Sequence, residues 1–392
     1  MSLSACHEVS TPKQFDPAQV GFEASYFPSL DNIIYPSLIL GLNRYEGSEQ
    51  SLFSVSLTAP VNDAVLRIVI DSTKLNYETI LQESMPQKGV TYTFHPKIKW
   101  KYDRLFAIRQ QGSVDLTFTC YINDEEVDVK TLYMNYRSVN ECLLNVRSEG
   151  KTYDSRWLFA AYVNEDHPYI DEILSSLLQQ GIVPRFTGYQ RGTVTVKDQV
   201  FAIWYYALSH GIAYSSISCT SNPSKKANVQ HIRFFDEVYN TRQANCIDAC
   251  VFFASILRKI GLKPVIFVEP CHAYLGYYTD KNRKNIAILE TTITSWVNFP
   301  ELDRSLQNGR IPQDKYEKVQ RFLSEEQQKQ YQDGKMSYEE LKINVARTLF
   351  DRATEYNAEE YKTNKAFFAD TTNTSFQQLD IEQLRELVQP IN

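Results

Sequence analysis

The chain has 392 residues, with 41 Lys plus Arg against 47 Asp plus Glu, giving a formal net charge of −6. That balance excludes a basic polymer-binding protein on bulk charge, and no basic-aromatic stripe points to nucleic acid. Apolar residues make up 43% and charged residues 22%, with only 14 Gly and 15 Pro, which excludes a collagen-like or extensively disordered chain.

Length fits about two domains. No run reaches the roughly 20 apolar residues of a membrane-spanning helix. Residues 1–35 show no clear period and read as a lead-in. Within it Leu3-Ser4-Ala5-Cys6 resembles a lipobox but lacks a basic and apolar segment before it. A cytoplasmic location is therefore expected, with an exported lipoprotein as the alternative if the true start lies upstream. Seven cysteines, odd in number and irregular in spacing, argue against a disulfide framework.

From 36 to 145 the pattern is that of strands. Ser51–Leu57, Val65–Ile70, Val114–Cys120 and Val127–Leu132 alternate apolar and polar residues, separated by turns such as Ala59-Pro60-Val61-Asn62-Asp63. Short alternating strands with polar turns predict an antiparallel sandwich of immunoglobulin-like type. The remainder, 146–392, begins with helices. Periodic apolar residues predict helices at His167–Gln180, Lys197–His210 and Cys246–Ile260, each followed by Gly. Strands are predicted at Pro264–Val268, Ala273–Tyr278 and Asn285–Glu290. Residues 311–362, rich in Lys, Glu and Gln, read as an insertion of two solvated surface helices. The fold class is therefore α+β, a sandwich followed by a helix-and-sheet domain.

The chemistry concentrates at Asn245-Cys246-Ile247-Asp248. Asn245 suits an N-cap and Asp248 the reciprocal acid of a capping box, which puts Cys246 in the first turn. There a thiolate is favoured by the helix dipole, and backbone N–H groups are available to an oxyanion. The apolar remainder of the helix would hold that thiol rigidly. Alternation places His272, Tyr274, Gly276 and Tyr278 on one face of a strand, with both tyrosines expected to be packing residues. Glu290 closes the next strand, within reach of His272 if the two strands are neighbours. A thiolate, an imidazole and an orienting acid make a nucleophilic triad. Asp280 competes for the acid's role, although its polar neighbours suggest a solvated turn, and Glu290 could equally be a strand-end surface charge. Cys250 reads as a small buried hydrophobe. Cys246, Cys250, Cys271 and His272 would offer four soft ligands, but their Cys-x3-Cys and Cys-His spacings are not those of structural zinc. No metal or cofactor is expected.

Cys246-Ile247-Asp248, Cys271-His272-Ala273-Tyr274 and Leu289-Glu290-Thr291-Thr292, in that order, resemble the three motifs of the transglutaminase-like superfamily, whose fold is papain-like. Glu290 stands where Asp is commoner, and Cys271 where Gly is frequent. Phe186–Gln190, Gln230–Arg233 and Asp380–Arg385 are also similar to segments of bacterial members. The likeness covers roughly 150–392. It implies a central helix packed on an antiparallel sheet, with the sandwich as an accessory domain whose partner is unknown. It implies attack by Cys246 on an amide or other acyl carbon of a protein, peptide or amide substrate. His272 would relay the proton and Glu290 would orient it. By analogy with papain-like folds, Gln230 is a candidate oxyanion donor. Hydrolysis and transfer to an amine, including Gln–Lys crosslinking, share the acyl-enzyme. The superfamily also holds members without catalysis, so an inactive binding or scaffold protein is the alternative.

Overall fold

The computed structural model describes residues 15–42, 51–190, 192–216, 220–221, 223–370 and 372–391. The Leu3–Cys6 tetrad and Cys219 lie outside the described residues. The fold is mixed α+β, and the described residues divide into two compact units, one within 15–36 and 51–139, the other within 37–42 and 140–391.

The first unit holds strands β1 (Glu23–Tyr26), β2 (Ile33–Ile34), β3 (Phe53–Thr58), β4 (Ala64–Ile70), β5 (Thr79–Met85), β6 (Thr91–Phe94), β7 (Gly112–Ile122) and β8 (Glu125–Tyr136). They form two sheets, ordered β1-β3-β6 and β2-β8-β7-β4-β5. Alternation does what the sequence pattern anticipates. Val55 and Leu57 of β3, with Leu66, Ile68 and Ile70 of β4, are buried, while the residues between them reach the surface. Phe53 of β3 meets Phe118 of β7 at 6.4 Å and Trp100 at 6.1 Å between ring centroids, so aromatic rings join the sheets. Part of the aperiodic lead-in becomes edge strands, because β1 pairs with β3 and β2 runs parallel to β8.

The second unit begins earlier than the expected boundary, since strand β9 (Glu141–Ser148) lies in a sheet ordered β10-β9-β13-β12 with β10 (Lys151–Asp154), β12 (Thr220–Ser221) and β13 (Ala227–His231), while β11 (Ala213–Tyr214) and β14 (Gln243–Ala244) pair separately and in parallel. Its central sheet has strands β15 (Pro264–Glu269), β16 (His272–Tyr278), β17 (Ile286–Leu289) and β18 (Gln377–Asp380), ordered β17-β16-β15-β18 and wholly antiparallel. Every residue of β15 and nearly all of β16 are buried. A strand loses its alternation when both of its faces are covered. The helix Cys246–Lys259 packs on β15 and β16. The helix Ala358–Ala369 contributes Phe368 to a cluster with Val265, Phe267, Tyr274, Tyr278 and Ile288. Gly276 makes room for that cluster, since a Cβ there would lie 2.6 Å from the Phe267 ring.

The helix Val196–Ser209 is closed at its start by a Thr195/Asp198 capping box, and its Trp204 packs on Phe253 and Phe350. Buried Gln199 accepts from the N–H groups of Thr187 and Gly188 and donates to Gly188 O, fixing the loop that leads into it. The two surface helices expected at 311–362 are four: Gln313–Val319, Glu325–Gln332, Tyr338–Tyr356 and Ala358–Ala369. The third is no solvated appendage, for Leu341, Val345, Ala346, Leu349, Phe350 and Ala353 are buried along one stripe. Its polar face supplies the Lys-Glu composition that dominates the sequence impression.

Candidate active site

Asn245 caps the helix Cys246–Lys259 by accepting from the Asp248 N–H at 2.8 Å, while Asp248 Oδ2 accepts from the Asn245 N–H at 2.9 Å. Asp248 has no exposed surface, and Arg233 compensates it with a backbone N–H at 2.8 Å and a guanidinium at 2.7 Å. Burial still holds its carboxyl above the usual carboxylate range, against the pull of Asn245 and Arg233. The capping acid therefore also ties the 230–233 segment to the start of the helix. Cys246 is partly exposed at that start, whereas Cys250, one turn on, is buried. The Cys246 and Ile247 N–H groups belong to the first turn and have no carbonyl four residues back.

His272 opens β16. Its Nε2 lies 2.7 Å from Glu290 Oε2, leaving Nδ1 for the thiol side. Burial disfavours the charged ring, but hydrogen bonding to Cys246 and Glu290 prevails, and the imidazole pKa is pushed up to about 10. The ring therefore holds its proton through neutral pH. Glu290 follows β17 and is only 1% exposed. Its Oε1 accepts from Thr292 N at 2.8 Å and Thr292 Oγ1 at 2.6 Å; its Oε2 accepts from His272 and from Asn357 Nδ2 at 2.5 Å. Burial alone would raise its pKa, yet the His272 and Thr292 hydrogen bonds hold it below the usual carboxylate value.

Cys246, His272 and Gln230 line one cleft of about 380 Å³, with Leu144, Asn145 and Thr152 on the β9–β10 side and Glu269, Pro270 and Cys271 on the opposite hairpin. Gln230 Nε2 donates to His231 O at 3.0 Å, so the proposed oxyanion donor is turned to the chain's own carbonyl here. The competitor Asp280 is occupied elsewhere, accepting from the N–H groups of Asn282, Lys284 and Asn285 in the β16–β17 turn. Tyr274 and Tyr278 sit in the core cluster. Among the described residues no three His, Cys, Asp or Glu side chains form a metal-binding group.

Two contributors escaped the sequence reading. Thr292 had a local signal, an acid two residues ahead of it at the cap of the short turn Thr291–Trp296. Asn357, 67 residues beyond Glu290, had none. It sits between two helices, yet its side chain makes no cap and reaches Glu290 instead.

With Cys246, His272 and Glu290 in one unit, the arrangement can hold a thiolate beside an imidazolium and deliver a proton to a leaving group. No protein-family model matches the chain, and no curated protein matches it in sequence.

Proposed function

We propose that the protein is a cysteine-dependent hydrolase or acyltransferase of the transglutaminase-like, papain-like kind, with the first unit as an immunoglobulin-like accessory sandwich. One observation carries the reading: an imidazole at a cleft, shared between a thiol at a helix start and a carboxylate buried and saturated with hydrogen bonds. The Cys246 thiolate attacks the acyl carbon. The oxyanion that forms is met by first-turn N–H groups, the donors that the helix itself leaves unused. His272 gives its proton to the departing amine, leaving a Cys246 thioester. Water or an amine then attacks, His272 takes that nucleophile's proton, and the thiolate departs. Glu290 keeps its charge throughout and fixes the ring.

The test uses p-nitrophenyl acetate and intact-mass spectrometry. A single acetyl adduct on Cys246 is expected, lost in Cys246→Ser and in His272→Ala. Chloroacetamide labelling at neutral pH should single out Cys246 over Cys271. Equal labelling of both thiols, indifferent to His272→Ala, would instead support an inactive binding protein that retains the architecture.

A further inference from the structure

Glu269 ends β15 and stands directly across the hairpin from His272. It lines the same cleft as Cys246 and is 9% exposed, yet its Oε2 is buried without a hydrogen-bond partner among the described residues. Burial and the neighbouring Glu360 push its carboxyl toward the protonated form, against the opposing pull of His272. A buried carboxylate with no partner is costly, and proteins ordinarily supply a cation. Elsewhere in this unit they do. Asp248 has Arg233, Glu165 has Arg258 and Arg385, and Asp380 has Arg283. The arginine that lines the cleft, Arg156, is committed to Asp154 and to the carbonyls of Thr374 and Ser375. Among the described residues no Lys or Arg pairs with Glu269, and the His272 imidazolium across the hairpin offsets its charge only in part, beside the reacting thiol.

We propose that Glu269 is the specificity group of the cleft and recognises a primary ammonium on the acyl substrate, holding an amine-bearing amide or peptide with its carbonyl at Cys246. This rests on Cys246 being the reacting thiol. The ammonium meets the carboxylate from the cleft and holds Glu269 ionised. A neutral side chain would leave the carboxylate without that counter-charge, and an anionic one would add a third negative charge to a site that already holds Glu269 and Glu290.

The experiment measures the charge preference of Cys246 with three methanethiosulfonates: neutral methyl, cationic 2-aminoethyl and anionic 2-sulfonatoethyl. In each, the thiolate attacks the sulfenyl sulfur, a mixed disulfide forms and methanesulfinate leaves with the bonding pair. Cys271→Gly removes the adjacent thiol, and peptide mapping locates the adduct. Rates are divided by those of free 2-mercaptoethanol. The expected result is an aminoethyl-over-methyl preference of about tenfold at low ionic strength, shrinking with salt. Glu269→Gln, and Glu269→Met as a second variant of similar length, should bring it to unity. A ratio at unity in the parent, or one unchanged in both variants, overturns amine recognition and leaves the nucleophile standing. If the neutral reagent fails to single out Cys246, or ignores His272→Ala, the nucleophile assignment falls and this inference with it.

Discussion

Glu290→Gln isolates what the buried acid does. Four donors converge on Glu290: Thr292 N, Thr292 Oγ1, His272 Nε2 and Asn357 Nδ2. A carboxylate accepts all four. A glutamine of the same shape brings one oxygen and one NH₂. Its oxygen stays with the two Thr292 donors, so its NH₂ confronts His272 and Asn357. Asn357 can turn its own oxygen inward. His272 must then present a bare Nε2, which moves the ring proton to Nδ1 and points a donor at Cys246. The unreplaced charge-assisted bond is worth about 1.5–3 kcal/mol of stability, and the wrong tautomer should lower thiol reactivity by about 10²–10⁴-fold. NMR titration of the His272 ring is the assay. Its pKa should fall from about 10 toward the ordinary 6.5, because the Glu290 contribution is lost and only the Cys246 hydrogen bond still opposes burial. Chloroacetamide kinetics at pH 6 report the accompanying loss at Cys246. An imidazole that still titrates near its original value, with alkylation within twofold, would refute the assignment of Glu290 as the orienting acid.

Other outcomes follow from the same geometry. Asn357→Leu removes one donor from Glu290 and should cost about 1–3 kcal/mol in urea unfolding, with a partial loss of Cys246 alkylation that a distant packing mutant such as Leu349→Val does not show. Arg233→Met leaves Asp248 buried without its counter-charge and should destabilise by about 3–5 kcal/mol; Arg233→Met with Asp248→Asn should recover part of it. The pH dependence of stability carries the His272 sign. The folded pKa is raised to about 10 from an ordinary 6.5, so the stabilisation is full below pH 6.5 and fades as pH climbs between the two values. Thermal melts at intervals from pH 6 to pH 10 should lose that increment in the parent and not in His272→Ala. Cys271 holds φ +66° after Pro270, as the third residue of a type II turn does, so Cys271→Gly should raise stability by about 1 kcal/mol.

The motif cysteine was legible because capping is local chemistry. Asn245 and Asp248 sit three residues apart and do what residues of that kind do at helix starts. The strand that His272 opens and the one that Glu290 follows were legible as strands, but their pairing was an expectation, since periodicity says nothing about partners. The register Leu275↔Leu289 is what brings the two side chains to one face. Two features resisted the sequence for different physical reasons. The helix Tyr338–Tyr356 carries so many charges on its outer face that composition hides its buried stripe. Asn357 is significant only through a contact spanning 67 residues, which no window of local sequence contains. Gln230 is the opposite case. The sequence supplies a plausible amide near the nucleophile, while the structure turns that amide to the His231 carbonyl.

The end of the helix Tyr338–Tyr356 grips Glu290 twice, since Ala353 O accepts from the Glu290 backbone N–H at 2.9 Å and Asn357 holds its carboxylate just beyond the last turn. The smallest fragment able to do chemistry is therefore set far downstream of the three reactive side chains. A recombinant piece stopped soon after residue 300 would retain all three, yet leave the acid loose at its root. Designers of minimal versions of this protein should treat those late helices as the clamp of the proton relay and trim from the other end first.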